Sequence, residues 1–153
     1  MSMITRRKIL GSLTSLTLLY PLIACGKGNL FMSKEIVMDV VVFNYTDSPI
    51  FEVLLNNRVD GGSAAYDGGR AIVTGVTIPI GPQTLSWRDA GSGKTFVAKN
   101  SLTLTPDKIP SDAHYLAIHI YQDKTAELTF ARHLPDATPR GQKILDEAEK
   151  HGR

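Results

Sequence analysis

The 153-residue chain has a single cysteine, Cys25, which excludes an internal disulfide framework. It has little excess of either charge: 17 basic residues face 15 acidic ones, for a formal net charge of +2. No basic patch interleaved with aromatics points to nucleic acid, and no acidic block marks a disordered tail. The chain also lacks the uninterrupted apolar run of roughly 20 residues that a membrane-spanning helix demands. Its longest uncharged N-terminal stretch, from Ile9 to Ala24, is broken by Gly11, by several Ser and Thr, and by Pro21. That proline would itself interrupt a helix. There is no internal repeat and no second-domain boundary.

What is present begins with an address. Arg6-Arg7-Lys8 precedes the short apolar run, the pattern of a secretory signal. At the end of that run, Leu22-Ile23-Ala24-Cys25 resembles the lipobox of bacterial lipoproteins. The resemblance implies that residues 1–24 are a signal peptide cut just before Cys25. It also implies that Cys25 is the lipid attachment site, acylated on sulfur and on its new amino terminus. A buried free thiol is the alternative. One acyl chain holds a protein to a bilayer only marginally, at about 0.8 kcal/mol per buried CH₂, so stable anchoring needs more than one. Gly26 rather than an aspartate follows the cysteine, which by resemblance favours the outer membrane, facing the periplasm. Thr5-Arg6-Arg7-Lys8-Ile9-Leu10 is similar to a twin-arginine export signal, with an ordinary basic leader as the other reading. Removing Arg6, Arg7 and Lys8 takes the 17 basic residues to 14 against 15 acidic ones, so the mature chain is near −1.

Residues 25–34 read as a tether and residues 35–153 as one domain with a modest core. The spacing predicts a strand from Glu35 to Tyr45, apolar on both faces and therefore central. A second strand, from Ile50 to Asn56, turns Phe51, Val53 and Leu55 one way. Asn57 to Arg70, with Asp-Gly-Gly at Asp60 and again at Asp67, reads as a long loop. Ala71 to Ile80 places Ile72, Val76, Ile78 and Ile80 on one face. Trp87 and Phe96 flank a hairpin turn at Asp89–Lys94, with an irregularity at Lys99-Asn100 and a surface crossing from Thr105 to Ala113. His114 to Gln122 sets Leu116, Ile118 and Ile120 against Tyr115, Ala117, His119 and Tyr121. A last strand holds Ala126, Leu128 and Phe130. Arg140 to Lys150 reads as a helix with Ile144, Leu145 and Ala148 as its apolar side. The expected fold is all-β: an antiparallel β-sandwich or open barrel of about seven strands with a short C-terminal helix.

No motif names a reaction. Gly91-Ser92-Gly93-Lys94-Thr95 lacks the first glycine of a phosphate loop, since Arg88 stands there, and it lies between strands. Gly61-Gly62-Ser63-Ala64-Ala65 lacks the last glycine of a nucleophile elbow. His114 and His119 fall on opposite faces of a strand and cannot share a metal, and His114 is expected to pack near the strand's start. Asp60 and Asp67 lack EF-hand spacing for calcium. No metal site or cofactor is expected. Two groups could contact a partner. One is the stripe Tyr115, His119 and Tyr121, for which the other reading is packing beneath the terminal helix or against another strand. The other is Tyr66, Asp67 and Arg70 on the glycine loop, which could equally be a connector.

Val42-Phe43-Asn44-Tyr45-Thr46-Asp47, the glycines at 61–62 and 68–69, and Gly81-Pro82 with Trp87, together with the lipobox, resemble a family of small bacterial lipoproteins of unknown function. Some members carry a cysteine pair after the glycine cluster, where this chain has Ile72-Val73-Thr74. Some are encoded beside lipase effectors of the type VI secretion system. The resemblance therefore implies an immunity protein that neutralises a phospholipase by occluding it, with no catalysis of its own. An envelope structural or carbohydrate-binding lipoprotein is the alternative. A hydrolase using Ser63 and a histidine is a third reading.

Overall fold

The computed structural model describes residues 34–59 and 61–152, so the signal segment, Cys25, the tether as far as residue 33, and Asp60 of the calcium suggestion lie outside the described residues. In chain order the described strands are β1 (Glu35–Tyr45), β2 (Ile50–Leu55), β3 (Gly61–Ser63), β4 (Asp67–Pro79), β5 (Gly81–Gln83), β6 (Leu85–Asp89), β7 (Thr95–Val97), β8 (Leu102–Leu104), β9 (Tyr115–Tyr121) and β10 (Ala126–Ala131), followed by helix α1 (Pro139–Lys150). They make one four-stranded sheet in the order β10-β9-β1-β4, a second in the order β3-β2-β6-β7, and a two-stranded pair β5-β8. The described residues form an all-β sandwich with one short C-terminal α-helix. Ten strands are described where about seven are expected, because short strands form at β3 within the expected loop and because the stretches from Gln83 to Arg88 and from Phe96 to Leu104 are each broken in two.

β1 is an inner strand of the first sheet, with β9 on one side and β4 on the other. Its even-numbered face sends Met38, Val40 and Val42 into the core between the sheets, with Val53, Leu85, Trp87, Leu104, Leu116 and Ile118. Its odd-numbered face sends Val41, Phe43 and Tyr45 into a second core beneath α1. Fully burying one such side chain is worth roughly 1.5–3 kcal/mol, so a strand apolar on both faces is the strongest single ordering element of the chain. The pairing of β1 with β9 is parallel, unlike the antiparallel neighbours expected throughout. A parallel neighbour needs a long crossover, and here strands β2 to β8 and the 3-10 turn at Pro106–Lys108 all intervene between β1 and β9.

Three backbone irregularities override the period-two reading. At Glu52, φ is 50° and the register of β2 slips, so Ile50 turns inward and Phe51 is exposed rather than joining Val53 and Leu55. At Gly75, φ is 67° and β4 gains an extra residue opposite Asp39 of β1, whose Oδ1 accepts from Gly75 N at 2.9 Å. Val76 and Ile78 are buried, but Ile72, beyond the bulge, is turned out to 44% exposure. The expected loop from Asn57 to Arg70 contains strand: Gly61–Ser63 form β3, and its last four residues open the 13-residue β4. Gly69, with φ at 92°, makes that possible, since a Cβ there would fall on the Phe43 ring. Helix α1 is seated the same way at Gly141, where a Cβ would overlap the Tyr45 ring.

Candidate functional site

The stripe Tyr115, His119 and Tyr121 lies on the odd face of β9, beside Val41, Phe43 and Tyr45 of β1. His119 and Tyr121 are fully buried and Tyr115 is half-buried, so the stripe builds the second core and does not present a partner surface. The sheet has apolar character on both faces, and α1 covers the second with Ile144 and Leu145. His119 stacks on Phe43 at 4.5 Å between ring centroids and lies parallel to Tyr45 at 5.9 Å. Its Nδ1 is 2.9 Å from the Tyr45 hydroxyl and its Nε2 is 2.9 Å from the Thr129 hydroxyl, so both ring nitrogens are taken. Burial lowers the His119 pKa to about 4, keeping the ring neutral, and pushes the Tyr45 phenol up to about 12. The Tyr121 phenol is also raised by burial. Its hydroxyl is 2.7 Å from Thr138 Oγ1, which in turn accepts from Gly141 N at 3.0 Å as the N-cap of α1. One hydroxyl thus ties sheet to helix.

The glycine-loop group is spread along the β3–β4 connection. Tyr66 sits at the turn with φ at 50°, half-buried, its N–H donating to Thr46 O at 3.1 Å, beside Ile144, Ala148 and His151 of the α1 end. Asp67 opens β4 and accepts from Ser63 Oγ at 3.1 Å, and Arg70 lies further along β4. Asn44 holds this region together. Fully buried, it donates from Nδ2 to Ser48 O and Ala64 O, both at 2.8 Å, and accepts at Oδ1 from Thr46 N and Thr46 Oγ1. An asparagine that fills both ends of its amide is a structural clamp. Asn44-Tyr45-Thr46-Asp47 is legible as turn chemistry, but its reach to Ala64 is not.

The remaining motifs are local structure. Ser63 is buried against a carboxylate, with no histidine among its hydrogen-bond partners. Gly91 to Lys94 is the β6–β7 turn, with Asp89 Oδ1 accepting from Ser92 N and Ser92 Oγ at 2.6 Å. The Asp89 carboxyl is held below its ordinary value chiefly by the Ser92 hydroxyl. His114 is exposed, not packed, because the chain enters β9 at the rim of the sheet. Among the described residues no group of three or more His, Cys, Asp and Glu is placed to hold a metal, and no helix is long and apolar enough to cross a membrane.

Two surface features have no counterpart in the motif reading. An apolar groove of about 330 Å³ lies at the start of β1, lined by Ile36, Val37, Ile80, Ile109 and Pro110, with Lys34 at its rim. A larger slot, of about 650 Å³, separates β8 from β10. The break at Lys99-Asn100 is its one sequence signal. No family model matches the chain, and neither does any curated protein or solved structure.

Proposed function

We propose that this chain is a lipid-anchored binding protein of the cell envelope, held by Cys25 at the outer membrane and facing the periplasm, which acts by gripping a protein partner. The lipobox supplies the anchor. The observation that carries the binding reading is the use made of the polar interior. His119 has both nitrogens engaged by the Tyr45 and Thr129 hydroxyls, Ser63 is bonded to Asp67, and Asn44 is held by backbone groups and the Thr46 hydroxyl. These are the bonds of a rigid scaffold, and a rigid scaffold presents loops and strand edges at low entropic cost. The family resemblance supports a secreted phospholipase as the partner, neutralised by occlusion. An anchor that confines the inhibitor to the surface its target attacks raises effective concentration without new contacts.

Co-expressing a type VI lipase effector with this chain in the periplasm tests the reading. Survival is expected with the intact protein and not without it; equal killing in both cases, with the protein present at normal level, refutes it. Growth with radiolabelled palmitate tests the anchor. Label is expected in the intact protein and absent from Cys25→Ala; label retained by that variant overturns the lipid assignment. The alternative, an envelope structural or carbohydrate-binding lipoprotein, predicts specific retention on peptidoglycan or a glycan array.

A further inference from the structure

The slot between β8 and β10 is lined by four consecutive residues of one side, Ser101 to Leu104, and five of the other, Ala126 to Phe130. Consecutive residues on both walls mean that the two strands face each other edge to edge, since a depression in one sheet face would show alternate residues. Among the described residues β10 pairs only with β9, and β8 only with β5. The direction of the free main-chain groups follows from the ladders. Tyr121 N donates to Thr125 O at 3.0 Å, so the odd-numbered residues of β10 bond to β9. The even-numbered ones turn outward, and Ala126 shows it: its N–H and C=O are both held by the Asn100 side chain at 2.9 Å. Leu128 and Phe130 come next in that series. On the facing wall Thr103 pairs with Pro82, which has no N–H, so the β5–β8 bonds fall at Gly81/Leu104 and Gln83/Leu102. Thr103 therefore also turns its N–H and C=O into the slot.

The geometry points to a β-augmentation site: the slot receives an extended segment of a protein partner, which runs antiparallel to β10 and adds to its outward edge at Leu128 and Phe130. Asn100 occupies the first edge position as a side-chain mimic of a strand and closes that end, so the segment enters from the end marked by Phe130, Lys108 and Pro110. Its chemistry can be read from the walls. Leu102, Leu104, Leu128 and Phe130 belong to the core face, whereas Ser101, Thr103 and Glu127 are exposed at the rim. Alternate residues of the segment must then be apolar and the others polar. Lys108 at the open end and Glu127 nearer the closed one favour an acidic residue at the segment's start and a basic one at its finish. A stretch of about five residues matches the β10 edge from Ala126 to Phe130. Unpaired edges are normally blunted by charge, proline or cover, and Leu128 and Phe130 carry no such device.

This deepens the binding function proposed above and rests on it for the owner of the strand, but the slot can be tested without that owner. The probe is the blocked heptapeptide Asp-Val-Thr-Val-Thr-Val-Lys, added to the ¹⁵N-labelled full chain in detergent. In the free protein the amides of Leu128 and Phe130 are expected to exchange rapidly, and that of Ile118 slowly. The peptide is expected to give saturable shifts confined to residues 101–104 and 126–130 and to slow exchange at Leu128 and Phe130 at least about tenfold. Thr103→Pro, which removes one slot-facing donor at an exposed edge position that proline tolerates, is expected to weaken binding about fivefold. A peptide methylated on alternate backbone nitrogens is expected not to bind. No saturable shift up to millimolar peptide, equal binding of the methylated peptide, or amides at Leu128 and Phe130 already as protected as that of Ile118 would each overturn the site. Peptide binding together with failure to neutralise the lipase would leave the slot standing and remove the immunity reading alone.

Discussion

Replacing Gly141 by alanine isolates the contact on which helix α1 is seated. In an exposed helix the change would stabilise, since glycine costs about 1 kcal/mol relative to alanine. Here the added methyl would overlap the Tyr45 ring. That ring cannot step aside: it is 1% exposed, stacks on Tyr121 at 5.1 Å, and is held at its hydroxyl by His119 Nδ1 at 2.9 Å. The helix must rise instead, loosening Ile144 and Leu145 over Phe43 and straining the Thr138 cap. Forcing a methyl into a packed core costs typically 1–3 kcal/mol. With no soft neighbour the upper half of that range applies, and after subtracting the helix gain the variant should be destabilised by about 1–2 kcal/mol. Thermal unfolding followed by circular dichroism should show a Tm lower by about 4–8 °C. Gly68→Ala is the matched control, because its Cβ would meet Leu145 Cδ1 at an ordinary 3.5 Å. A Gly141→Ala protein as stable as the parent, or more so, would refute the seating of α1 on Tyr45.

Three further outcomes follow from the same core. His119 titrates near 4 when folded and near 6.5 when unfolded, so its neutral form stabilises the fold above pH 6.5 and that contribution drains away as pH falls towards 4. Between pH 6.5 and 5 the loss should be about 1.5 kcal/mol, read from urea midpoints, and His119→Gln should flatten it; an unchanged slope would contradict the burial argument. Thr138→Ala removes the α1 cap and leaves the Tyr121 hydroxyl without its partner, for an expected loss of about 2–3 kcal/mol in urea unfolding, and a loss under 0.5 kcal/mol would mean the pair is not formed. Gly69→Ala combines a left-handed backbone with a clash against Phe43, and about 3 kcal/mol or more should be lost, measured as the fall in urea midpoint and in yield of folded protein.

Local residue chemistry by itself determined the elements whose partners are close in sequence. Residues 35–45 announce a two-faced central strand, Asp89 to Lys94 a hairpin that pairs Trp87 with Phe96, and Gly152 a helix stop realised with φ at 69°. The resemblance of Leu22-Ile23-Ala24-Cys25 to a lipobox is likewise carried by linear sequence alone. Tertiary structure alone decided the rest, because a bulge is a property of two strands and not of one. Nothing local at Glu52 or Thr74-Gly75 says where the partner strand will lose register, yet each slip turns every later side chain over. The fate of the Tyr115, His119 and Tyr121 stripe was settled by α1, whose glycine at 141 lets it lie flat on Tyr45. Likewise the slot exists only because β8 pairs with β5 and β10 with β9, leaving two edges face to face that the sequence could not bring together.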